Sequence, residues 1–202
     1  IIISSGDESG VGPEIILKAL ASNQIPKNIR IRIVGSKKNL ISTYKILKSI
    51  GITKIANPDE LDIEDIEVPR IQNASWKTNC GNSSFMYLKE AIKLTKSKQN
   101  TALVTAPICK KSWELAGHSY SGQTELLAES CNTENVGMLF TAKSPITGWR
   151  FNTLLATTHI ALCEISKNLV ENKNLIISKL NLLSDFSKQF KKQPTLRVAG
   201  LN

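Results

Sequence analysis

Two hydrophobic periods take turns along this chain, and that alternation constrains its fold more than any single residue. Short apolar runs, "IIISS" at 1–5, "IRIRIVG" at 29–35 and "TALVTAPI" at 101–108, are separated by longer stretches with apolar residues every three or four positions. The short runs read as strands and the long stretches as helices. Strands alternating with helices build a layered α/β/α fold around a mostly parallel sheet. Helices are predicted from Pro13 to about Ala21 and over 37–51, closing on Gly51 as a C-terminal cap. A third is predicted over 82–99, with Asn82 or Ser83 as its N-cap. The acidic stretch "NPDELDIEDIEVPRIQN" reads as loop with short edge strands. Residues 110–131 read as a short helix, a Gly- and Ser-rich turn and a second helix capped near Thr124. Beyond them come two strands joined around "SPITG", a helical region broken near Asn172, and a last strand, "TLRVAGLN", reaching a turn.

Ligands of such sheets sit beyond the carboxyl ends of the strands. The loops to watch therefore follow "IIISS", "ALVTAPI", "LLATTH" and "RVAGLN". The first, "GDESGVGPEI", looks like a phosphate loop, but its glycines at 6, 10 and 12 fit neither G-x-G-x-x-G nor G-x-x-x-x-G-K-[ST]. Asp7 and Glu8 inside it would repel a pyrophosphate unless a cation intervened. It is either a tight strand-to-helix turn or a polar loop lining a small-molecule site. The second loop carries Lys110 and Lys111. The third carries His159, one of two histidines; a lone histidine is commonly structural, but one closing an apolar strand faces the ligand crevice.

Composition narrows the class. Of 202 residues 41% are apolar, and no run approaches the ~18 needed for a membrane span. The opening "III" is too short for a signal-peptide core, and the missing initiator Met suggests a trimmed sequence. The net charge of +9 comes from 21 Lys and only 5 Arg, scattered over solvated helix faces with few aromatics. That pattern argues against a nucleic-acid partner, which favours the arginine fork. Cys80, Cys109, Cys131 and Cys163 form no C-x-x-C pair, so four reduced thiols in a cytoplasmic compartment are expected.

"GDESGVGPEI", "ALVTAPICKKSWELAG", "GQTELLAE", "LLATTHIAL" and the terminal "AGLN" occur in the order seen in the 4-hydroxythreonine-4-phosphate dehydrogenases, which the chain resembles over essentially its whole length. The resemblance implies an isocitrate/isopropylmalate dehydrogenase-like fold, two α/β domains around a cleft, here divided as 1–118 and 119–202 with the C-terminal part absent. It implies NAD- or NADP-dependent oxidation and decarboxylation of 4-phosphooxy-L-threonine in pyridoxine 5'-phosphate biosynthesis. It also implies a homodimer with the active site at the subunit interface, and a divalent metal (Zn, Mg or Co) held by three histidines. His159 matches the first of these. Gln123 and Thr124 match the substrate-contacting pair of the family's G-H-T-E, and Lys110 matches a lysine near the cleft with a supporting role. His118 matches no functional position. Gln123 stands where many members have His, so it can hydrogen-bond a substrate but cannot carry a proton. The other metal ligands and most of the cofactor site are expected beyond Asn202, which leaves residues 1–202 alone inactive. Two further readings are a dehydrogenase of a phosphorylated sugar acid (threonate or erythronate 4-phosphate) and a non-catalytic interaction module.

Overall fold

The computed structural model describes all residues except 23, 27, 100, 191–194 and 200–202. Four short runs pair into one sheet: β1 (Ile2–Ser4), β2 (Arg32–Gly35), β3 (Ile63–Asp65) and β4 (Leu103–Thr105). Their order is β3-β2-β1-β4 and every pair is parallel, with Ile3 beside both Ile33 and Val104. The chain thus lays β2 and β3 on one side of β1, then crosses back to place β4 on the other.

Helices cover both faces because neighbouring strand residues point opposite ways. On one face Ile33 joins Ile16 and Leu17 of α1 (Gly12–Leu20) and Leu40 and Leu47 of α2 (Lys37–Ser49). On the other, Ile2 and Val34 meet Tyr87 and Ala91 of α3 (Trp76–Lys96). Phe85, Leu88 and Ile92 of α3 continue that layer against Trp113 of α4 (Lys110–Leu115) and Leu126 of α5 (Gln123–Ser130). Local signals set the helix ends. Pro13 enters the first turn of α1 without losing a needed hydrogen bond. Ser36 caps α2 through Asn39 N at 3.1 Å, and Gly51 follows its end at φ +85°.

α3 starts earlier than the Asn82 or Ser83 expected. Its N-cap is Ser75, whose hydroxyl accepts from Thr78 N at 3.1 Å. Gly81 lies inside the helix where it meets α4: a Cβ there would sit 2.0 Å from the carbonyl oxygen of Ser112. β2 is shorter than "IRIRIVG", beginning only at Arg32. Residues 195–199 pair with no neighbouring strand, so the expected terminal strand is not formed there; the turn expected after them falls largely outside the described residues.

The chain divides into compact units at Ile1–Leu127 and Ala128–Asn202, where the sequence suggested 118/119. Leu126, buried among Phe85 and Trp113, ties the start of α5 to the first unit. The second unit holds an antiparallel hairpin, β5 (Leu139–Lys143) and β6 (Arg150–Leu154), then α6 (Ile165–Glu171) and α7 (Leu175–Lys188), broken around Asn172 as expected. Ser178 Oγ of α7 bonds Asn135 Oδ1 at 3.0 Å, and Lys179 donates to the carbonyl of Val136. No described helix is long and apolar enough to cross a membrane.

Candidate functional site

The reversal between β1 and β4 creates a switch point, the place beyond the strand ends where α/β sheets commonly hold ligands. Here the two loops are stitched together. Ala106 N donates to the carbonyl of Ser4 at 2.9 Å, and Asp7 N to that of Pro107 at 3.0 Å. Gly6 makes the approach possible, with φ +71° and no side chain to strike Pro107.

The β1 loop turns its amides inward. Ser9 N and Ser9 Oγ both donate to Asp7 Oδ1, at 2.9 and 2.7 Å, and Gly10 N donates to the carbonyl of Asp7 at 3.0 Å. These amides are engaged with Asp7, which is 5% exposed, so the loop is no pyrophosphate cradle. Of the two readings open at the sequence level, the structure supports a compact turn, with Asp7 buried and Glu8 half-buried. Glu8 is held from two helices: Tyr87 Oη donates to its carboxylate, and Asn39 Nδ2 to its carbonyl at 3.1 Å. Burial, and then the Glu8 carboxylate, push the Tyr87 phenol far above its ordinary range. Burial likewise raises the Cys80 thiol, with Asp7 and Glu8 adding to the shift.

The β4 loop brings the complementary groups. Cys109 is the exposed N-cap of α4, its thiol lowered by the Ser112 hydroxyl and then by backbone amides. Lys110 follows and lies against Gly122, its Nζ 3.6 Å from where a side chain there would begin. Gln123 opens α5 and donates from Nε2 to the carbonyl of Ala106 at 3.2 Å, and Thr124 stands exposed beside it. That bond orients the amide and leaves Gln123 Oε1 buried without a partner. Lys110, Gln123 and Thr124 therefore converge at the carboxyl end of β4. Lys110 brings a positive charge there, Glu125 in the first turn of α5 brings its carboxylate to the same point beside Gly122, and Gln123 Oε1 offers an acceptor.

His159 belongs to the second unit, beyond the end of β6, exposed and at φ +60°. Among the described residues no three His, Cys, Asp or Glu side chains come together, and a catalytic zinc takes about three protein ligands. The chain's own described residues therefore do not make up a metal site. Sequence reasoning missed the Tyr87–Glu8 pair and the half-buried Cys80. Tyr87 reads as one more apolar residue of an amphipathic helix, and nothing local links it to a carboxylate 79 positions away.

A four-stranded parallel sheet with helices on both faces places the chain among the layered α/β proteins. The family model described as "Pyridoxal phosphate biosynthetic protein PdxA" matches residues 27–202, and the chain belongs to that family. It is 41% identical over 203 residues to a 4-hydroxythreonine-4-phosphate dehydrogenase of Synechococcus sp., covering all of this chain and 60% of that protein. Identity to the Nostoc sp. protein of the same name is 40% over 210 residues, all of this chain and 58% of the relative. Among solved structures, the 4-hydroxythreonine-4-phosphate dehydrogenase of Klebsiella pneumoniae is similar, with a TM-score of 0.73 at 27% identity over 93% of this chain and 58% of that one. The chain thus spans about 60% of the length of the curated relatives it matches.

Proposed function

We propose that this chain is part of a 4-hydroxythreonine-4-phosphate dehydrogenase. The reaction is oxidation of the secondary alcohol of 4-phosphooxy-L-threonine by NAD (or NADP), with loss of carbon dioxide, giving 3-amino-2-oxopropyl phosphate for pyridoxine 5'-phosphate synthesis. The observation that carries this reading is the whole-length similarity to enzymes of that name, joined to the convergence of Lys110, Gln123 and Thr124 at the switch point. In this reading Gln123, anchored on Ala106, accepts a hydrogen bond from the substrate through Oε1, Thr124 adds its hydroxyl, and Lys110 draws in the anionic group. An amide moves no proton, so Gln123 binds and orients only. His159 serves as one donor to a divalent cation (Zn, Mg or Co), with its remaining ligands outside this chain. The same reading includes the two-domain cleft of the isocitrate dehydrogenase type and a homodimer.

The test is NADH production by the full-length protein with 4-phosphooxy-L-threonine and each metal in turn. Turnover is expected, and Gln123→Ala should raise KM more than it lowers kcat. A signal only with threonate or erythronate 4-phosphate would move the assignment to a sugar-acid dehydrogenase.

A further inference from the structure

Tyr87 has no task in the substrate-binding reading above, yet its hydroxyl ends on the loop beside the substrate contacts. The residue is 1% exposed, and its hydroxyl donates to the Glu8 carboxylate from α3. From α2, Asn39 Nδ2 donates to the Glu8 carbonyl at 3.1 Å. Those two helices cover opposite faces of the sheet, so Glu8 is gripped by side chain and by backbone from both layers. Its neighbour Asp7 carries the stitch to the β4 loop, donating from N to the carbonyl of Pro107 at 3.0 Å. One residue back, the carbonyl of Ala106 accepts from Gln123 Nε2 at 3.2 Å. Tyr87, Glu8, Asp7, the 106–107 peptide and Gln123 therefore form one line of contacts from α3 to the start of α5.

We propose that Tyr87 is a positioning residue: through Glu8 it fixes the β1 loop so that Asp7 N stays on Pro107, which holds the Ala106 carbonyl where it orients the Gln123 amide. The loop spans only residues 5–11 between β1 and α1, so a shift at Glu8 is passed directly to Asp7. Without the hydroxyl, the half-buried carboxylate loses its donor from α3 and regains one only by turning out to water. That movement draws the Glu8 backbone away from Asn39 and works against the bond from Asp7 to Pro107. Tyr87 remains a donor across the neutral range, because burial and then Glu8 itself keep its proton on.

This inference rests on the reading of Gln123 as a substrate contact, and the experiment separates the two. In the full-length protein, Y87F, E8A, E8Q, the pair Y87F/E8A and Q123A are compared with the wild type. KM and kcat are measured for 4-phosphooxy-L-threonine, and hydrogen exchange of the Asp7 amide reads the stitch with no substrate present. Y87F keeps the ring, and E8A leaves Tyr87 and its Ser83 neighbour in place. Each should speed exchange at Asp7 and raise KM about fivefold, the factor that one ordinary hydrogen bond supplies, with kcat little changed. The pair should be no worse than either single variant, and E8Q, which still accepts from Tyr87, should stay near the wild type. Asp7 exchange that ignores both Y87F and E8A, or losses that add in the pair, overturn the proposal. A KM raised in Q123A but not in Y87F, with the Asp7 exchange already faster, overturns it as well. A KM untouched by Q123A overturns instead the assignment of Gln123 to the substrate. If Y87F does not fold, E8A against E8Q decides the matter alone.

Discussion

Replacing Gly6 by alanine should damage the stitch between the two crevice loops, and a second glycine separates the causes. At φ +71° an L-residue is strained by about 1–2 kcal/mol. The new Cβ would also fall 2.3 Å from the carbonyl oxygen of Pro107 and 3.0 Å from the carbonyl carbon of Ala106. Both are backbone atoms of the β4 loop, and Pro107 O is the acceptor for Asp7 N. Relieving the overlap means moving one loop off the other, a form of overpacking that costs about 1–3 kcal/mol. The sum is about 2–5 kcal/mol. Gly51 has a similar φ of +85° but nothing within 4 Å of the point a Cβ would occupy, so Gly51→Ala carries the conformational cost alone. Urea unfolding of both variants in the full-length protein gives the comparison. Gly6→Ala should be the less stable by about 1–3 kcal/mol, and it alone should weaken substrate binding. Equal losses in the two variants would refute the close-approach argument.

Tyr87→Phe keeps the ring in place and removes the hydroxyl donated to Glu8, which should cost about 1–2 kcal/mol. An unfolded tyrosine ionises near pH 10, whereas folded Tyr87 is held protonated well above that. Wild-type stability therefore declines as pH rises past about 10, and the urea midpoint of Tyr87→Phe should decline less steeply. Among the thiols, Cys109 is exposed and lowered while Cys80 is half-buried and raised, so iodoacetamide at neutral pH should label Cys109 well before Cys80 by peptide mapping. Labelling in the opposite order would contradict the surroundings described for both.

Features written in consecutive residues were legible in the sequence. The β-α alternation, the Gly51 cap, the β5–β6 hairpin around "SPITG" and the break at Asn172 each depend on a few neighbours. The start of α3 was not, because Thr78, Asn79 and Gly81 look like loop residues when read in isolation. Gly81 is explained by the carbonyl of Ser112, which sequence proximity does not reveal. The candidate site divides the same way. Motif resemblance marked Lys110, Gln123 and Thr124, and the sheet order then brought their segment against the β1 loop. The Glu8–Tyr87 pair and the bond from Gln123 to Ala106 arise only once distant segments have docked.

The position of β1 also bears on how the molecule assembles. β1 meets β2 after a short loop and one helix, but its other neighbour, β4, arrives only after α2, β3 and α3, as in the pairing of Ser4 with Thr105. Closing a loop of that length is an entropic cost met before any contact repays it, and such pairings form slowly. During synthesis one edge of β1 therefore waits unpaired while α2, β3 and α3 emerge, an exposure that favours pairing with other chains. The crevice cannot exist in that interval, since one of its walls is the β4 loop. A ligand held at the switch point would therefore bind only chains whose sheet is complete, and would stabilise that state over the one with β1 still unpaired.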